Sequence, residues 1–157
     1  MLRFYADSML GKLSRFLRFF GYSTLYRSEE TVDVMIKTAQ KNDLIVLSQS
    51  KQVIDKCQKQ NVKAYSMPTS SIEEQLRVLK TNLEIEFEVP PKEMLCSLCN
   101  GDISKKEKEE IIDKIPKGTT LHYDDFWQCN ECDKIYWLGS HWEDIKRIIE
   151  RVEKGNV

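Results

Sequence analysis

An α/β domain with a parallel sheet flanked by helices is expected over residues 1–90, followed by a small cysteine-paired module with a C-terminal helix over residues 91–157. Three observations predict this division. Strand-like and helix-like segments alternate from Leu2 to Lys80, the pattern that right-handed crossovers turn into a parallel sheet covered on both faces. Pro90-Pro91 then stops regular structure. Beyond it, Cys96 and Cys99 form one Cys-x2-Cys pair, and Cys129 and Cys132 form another.

The elements of the first unit follow in order. Leu2 to Ala6 reads as a short strand. Leu10, Leu13, Phe16, Leu17 and Phe20 recur at helical spacing, and Gly21 stands where a helix C-terminal glycine belongs. Thr24–Tyr26 reads as a second strand, Val32–Gln40 as a helix and Leu44–Leu47 as a buried strand. A helix over Lys51–Gln60, a strand over Val62–Tyr65 and a helix over Ile72–Lys80 complete the alternation. In such a sheet, sites gather at the carboxyl ends of the strands. Asp7 follows the first strand and Asp33 opens the second helix. Carboxylates at one sheet edge can hold Mg or Mn, which prefer hard oxygen ligands and activate water for phosphodiester cleavage. The plainer reading of each is a helix cap or turn former.

In the second unit, two knuckles of this spacing offer four thiolates to one ion, the closed tetrahedral cage of a structural zinc site: Cys96, Cys99, Cys129 and Cys132. A closed shell leaves no position for water or substrate, so this metal is expected to be structural. The alternative is two disulfides, which need an oxidising compartment. Cys57 reads as a small semi-buried residue. Lys105–Glu110 is a charge run, read as a solvated helical face. Pro116 and Gly118 mark a turn, Lys134–Trp137 a short strand, and Ser140-His141-Trp142-Glu143 a capping box opening a helix with an Ile145, Ile148, Ile149 and Val152 stripe. Trp127, Trp137, Trp142, Tyr123 and Tyr136 crowd the second knuckle. They invite a base-stacking reading, but a module with little core also needs aromatics for packing, which is the preferred account. His141 reads as a contact to phosphate or to the helix start.

A hydrophobic content of 41% with 31% charged residues is ordinary for a globular protein, and no apolar run approaches the ~18 residues that span a bilayer. Met1 to Asp7 turns polar early, so no signal peptide and a cytoplasmic location are expected. The formal net charge of −1 does not announce a nucleic-acid binder. Its distribution is uneven, because residues 1–27 carry Arg3, Lys12, Arg15, Arg18 and Arg27 against Asp7 alone. Lys12, Arg15 and Arg18 step along the first helix near Asp7. Such a face is either merely solvated or a set of phosphate contacts, and beside an acidic site it makes RNA the favoured partner.

Three stretches together resemble the Mut-7 C-terminal RNase domain family: Phe4-Tyr5-Ala6-Asp7-Ser8-Met9-Leu10-Gly11-Lys12-Leu13-Ser14-Arg15-Phe16-Leu17-Arg18 with Gly21-Tyr22, the paired knuckles, and Ile135-Tyr136-Trp137-Leu138-Gly139-Ser140-His141-Trp142. The resemblance spans nearly the whole chain. It implies a PIN-like ribonuclease fold that cleaves RNA with a divalent metal on acidic side chains, followed by a zinc ribbon. Asp7 matches the family's first acid, and Asp33 best matches the acid at the second helix.

The chain departs from this pattern after the Leu44–Leu47 strand. Where the family typically reads Thr-Arg-Asp, this sequence has Ser48, Gln49 and Ser50. A serine hydroxyl can cap the following helix but is a poor ligand for a hard cation. Asp55, one helical turn on, would have to reach back to replace the missing acid. The preferred expectation is therefore an RNA-binding, ribonuclease-like protein with weakened or absent catalysis, acting within a ribosomal or other ribonucleoprotein particle. The alternative is an active Mg- or Mn-dependent endoribonuclease using Asp7 and Asp33. A toxin of a toxin–antitoxin pair is a third, weaker reading.

Overall fold

A computed structural model describes residues 1–155. Its core is a four-stranded, all-parallel sheet in the order β2-β1-β3-β4, formed by β1 (Phe4–Ala6), β2 (Thr24–Tyr26), β3 (Ile45–Ser48) and β4 (Ala64–Ser66). Because successive strand residues face opposite ways, Phe4, Ala6, Ile45 and Leu47 point into one apolar layer and Tyr5 and Val46 into the other. The first layer is closed by α1 (Gly11–Phe19) and α4 (Ile72–Leu83), the second by α2 (Val32–Asn42) and α3 (Lys51–Lys59). The sequence order of the strands reverses at β1, which lies between β2 and β3. The crevice beyond β1 and β3 is thus the switch point at which ligands bind in open α/β sheets.

Local chemistry explains the helix ends. Gly21 takes φ +84, letting its amide and that of Tyr22 close back on the Arg18 and Leu17 carbonyls. The Thr31, Ser50 and Ser71 hydroxyls each cap a helix by accepting a backbone N–H three residues on. The fourth strand is displaced from the expected 62–65 to Ala64–Ser66, where it pairs with Val46–Ser48.

The chain after Pro91 forms an antiparallel sheet of β5 (Ile103–Lys106), β6 (Phe126–Cys129) and β7 (Ile135–Tyr136). Two single-turn helices, α5 (Lys108–Ile111) and α6 (Thr119–His122), lie between β5 and β6. The charge run is therefore not one helical face, since Lys105 and Lys106 pair in the sheet with Trp127 and Phe126. The capping box expected at Ser140 is also absent. The last helix, α7 (Ser140–Lys154), begins at Ser140 itself, with Gly139 as its cap and no side-chain capping bond. A Cβ on Gly139 would meet the Trp137 ring at 3.1 Å, so a capping side chain there would crowd the aromatic packing. A capping box forms instead on α5, between Glu107 and Glu110.

Helix α7 returns to the first unit. Ile149 and Val152 are buried in the same apolar layer as Leu76 and Leu79 of α4. The two helices are further linked by Arg151–Glu73 at 2.9 Å and by Lys80–Glu153. Among the described residues, no helix is long and apolar enough to cross a membrane.

Candidate functional site

Asp7 leaves β1 at the switch point, its amide donating to the Leu47 carbonyl of β3 at 2.9 Å. Both carboxylate oxygens are engaged. Oδ1 accepts the Ser8 amide at 2.7 Å, and Oδ2 accepts the hydroxyl of fully buried Ser48 at 2.7 Å. The Ser48 oxygen in turn accepts the Ser50 amide at 3.0 Å, while the Ser50 hydroxyl caps α3. Gln49 turns away and donates to the Pro68 carbonyl at 3.3 Å. The strand end is thus tied together by one carboxylate and two serines. That donor set offers a hard dication a single carboxylate, with both of its oxygens already hydrogen-bonded, and neutral hydroxyls in place of further anionic oxygens.

Asp33 is exposed in the first turn of α2, 3.9 Å from Lys56 of α3. Asp55 is exposed on α3. Among the described residues, the only group of three or more metal-ligating side chains brought together is the cysteine set. Sequence reasoning matched Ser48 to the family's Thr without its bond to Asp7, and it missed Glu30, which accepts hydrogen bonds from Tyr5 and, at 2.7 Å, from Arg27. Tyr5 and then Arg27 hold the Glu30 carboxyl below its usual range. Burial, Glu30 and more weakly Asp7 push the Tyr5 phenol up. Glu30 could not be singled out from the sequence because it lies in the turn between β2 and α2, while its partner Tyr5 lies 25 positions away on β1.

The basic helix divides. Lys12 and Arg15 are exposed. Lys12 borders a surface cleft with Ser71, Glu73, Asp144, Arg147 and Arg151, between α1, α4 and α7. Arg18, expected on the same phosphate-binding face, is instead 5% exposed. Its Nε donates to the Thr24 carbonyl at 2.9 Å and its Nη1 to the Ser97 carbonyl at 2.8 Å. Six residues at 3.6 per turn place Arg18 about 120° around α1 from Lys12, on a flank that the first knuckle covers from 79 positions away, and that cover is not readable from helical spacing.

The four knuckle cysteines converge, with all sulfurs within 4.8 Å of one another. Cys96 and Cys132 are 3.6 Å apart, Cys99 and Cys129 3.4 Å, close to the ~3.8 Å edge of a tetrahedron with ~2.3 Å zinc–sulfur bonds. All five cysteines are free thiols. Burial pushes the Cys99 thiol up to about 12. Burial also raises Cys96, but a hydrogen bond with the Tyr136 hydroxyl and backbone donors outweigh it and bring that thiol down to about 7. Four sulfurs this close ionise together only around a cation, so the donor set fits zinc. Such an ion would be held by Cys96, Cys99, Cys129 and Cys132 in a closed shell.

Two of the neighbouring aromatics are engaged in packing against other rings. Trp137 lies against Phe126, with ring centroids 6.3 Å apart, and Trp142 against Phe19 of α1 at 5.6 Å. His141 is exposed in the first turn of α7. With this arrangement in view, the profile described as Mut7-C RNAse domain matches residues 2–149. The chain belongs to the Mut7-C RNAse domain family. The match runs from β1 into α7, so the cysteine centre and the sheet edge both fall inside the family's domain. No curated protein and no solved structure matches the chain.

Proposed function

We propose that this Mut7-C family member is an RNA-binding, PIN-like protein whose metal-dependent ribonuclease activity is weakened or lost, and that it works in the cytoplasm on a ribosomal or other ribonucleoprotein particle. The observation that carries this reading is the sheet edge itself. The one carboxylate at the end of β1 is hydrogen-bonded to Ser48, and Ser50 caps a helix where the resemblance leads one to expect a third acid. Lys12 and Arg15 remain free to meet phosphate, and the cysteine module holds a structural zinc. The organisation into residues 1–90 and 91–157 is part of the proposal, with α7 of the second segment anchoring it to the first.

One observation favours the second reading, an active Mg- or Mn-dependent endoribonuclease using Asp7 and Asp33. Glu30 accepts a hydrogen bond from Tyr5, which lies two residues before Asp7 and so on the same face of the sheet, bringing a second carboxylate to that face.

Cleavage of single-stranded RNA with Mg or Mn separates the two. Ser50→Asp keeps a good helix cap while restoring a carboxylate. Wild type is expected to cleave little, and the variant measurably more. Efficient wild-type cleavage that is lost in Asp7→Asn and indifferent to Ser50→Asp would establish the enzyme instead. Sedimentation of native protein with ribosomes or another RNA particle after gentle lysis tests the particle assignment, and protein found only in the free fraction counts against it.

A further inference from the structure

Arg18 is a buried cation with no carboxylate partner in ion-pairing range among the described residues. Burying a guanidinium is costly unless its donors are satisfied and a counter-charge lies near. Two carbonyls satisfy donors, and one of them is decisive. It belongs to Ser97, inside the Cys96–Cys99 knuckle and 79 positions away in sequence. Four thiolates around one dication leave a doubly negative centre, and that centre sits against Arg18.

The surrounding contacts repeat the pattern. Asn100, directly after Cys99, adopts φ +69, accepts the Thr24 amide at 2.9 Å and donates to the Ser23 hydroxyl at 3.0 Å. The Leu95 amide donates to the Arg18 carbonyl at 2.8 Å. At Gly21, an added Cβ would strike the Glu93 carbonyl oxygen at 2.9 Å, so the two backbones already touch. The first knuckle is therefore built onto the turn between α1 and β2.

We propose that Arg18 is the counter-charge and positioning residue of the zinc centre, so that metal binding in the ribbon also organises the α1–β2 turn of the α/β unit. Groups outside the ligand shell orient ligands and tune metal affinity, and their loss commonly costs ~10- to 100-fold. This rests on the cysteine set holding zinc and is independent of whether the protein cleaves RNA.

The test uses the full chain. Zinc content and zinc affinity, by competition with a chromophoric chelator, are measured for wild type, Arg18→Gln and Arg18→Lys. Arg18→Gln is expected to bind zinc about 10- to 100-fold more weakly, with Arg18→Lys recovering much of the loss because it keeps the charge. A purely packing role would lower the melting temperature of both variants without changing the increment that zinc adds. Arg18→Gln with wild-type zinc affinity and increment overturns the proposal while leaving the zinc site standing. Wild type that takes up no zinc overturns the zinc site itself, and the proposal with it. If Arg18→Gln does not fold, hydrogen exchange on wild type decides. Zinc removal should speed exchange of the Thr24 and Leu95 amides, and unchanged protection there refutes the coupling.

Discussion

Ser48 shows how one small side chain can set the character of a site. It is fully buried, and its hydroxyl both donates to Asp7 and accepts from the Ser50 amide. Ser48→Ala leaves an acceptor on Asp7 and a donor on Ser50 without this partner, at an expected cost of about 1–3 kcal/mol in urea unfolding. Glu30 gives the pH dependence. Its pKa is lowered in the folded state by Tyr5 and then Arg27, so it favours folding at pH above the ordinary glutamate value. That contribution is lost as pH falls from there through the depressed value. Stability measured across that acid range is expected to fall more gently in Glu30→Gln than in wild type. An identical slope in the two proteins would remove Glu30 from the account.

At the scale of elements, α1 carries two distinct kinds of charge. Lys12 and Arg15 face solvent, whereas Arg18 is enclosed. Replacing Lys12 and Arg15 together by Ala is expected to weaken RNA binding and to lower the magnitude of the log–log salt slope by about 1 to 2, with the circular dichroism spectrum unchanged. Unaltered affinity and slope would make the face a solvated one. The three-stranded ribbon is short and its apolar interior small, with Ile111 and Phe126 among its few fully buried side chains. Modules of this size draw much of their folding free energy from the metal. Cys129→Ser, or a strong chelator, is accordingly expected to abolish the protection of β6 amides in hydrogen exchange. Persistence of that protection would show the ribbon to be metal-independent.

At the scale of the whole molecule, the two segments meet where the first knuckle sits on the α1–β2 turn, through Arg18–Ser97 and Asn100–Thr24, and where α7 packs on α1 and α4. Ile149 is 4% exposed within the layer that covers β1 and β3, and Ile149→Ala is expected to cost about 2–5 kcal/mol. Since truncation after residue 90 removes Ile149 and Val152 together, residues 1–90 alone should unfold at lower urea than the full chain. An equal midpoint would make the first segment self-sufficient. The alternation of short strands and helices was legible in the sequence because each apolar stripe declares its own period, and the zinc-type spacing was legible because each Cys-x2-Cys pair is local. The family likeness rested on contiguous motifs for the same reason. Three things waited for tertiary structure: the burial of Arg18, the pairing of Tyr5 with Glu30, and the choice of α7, whose stripe could serve the ribbon or the main sheet, for the main sheet. Each joins residues distant along the chain, and periodicity within one segment carries no information about which partner another segment will bring to it.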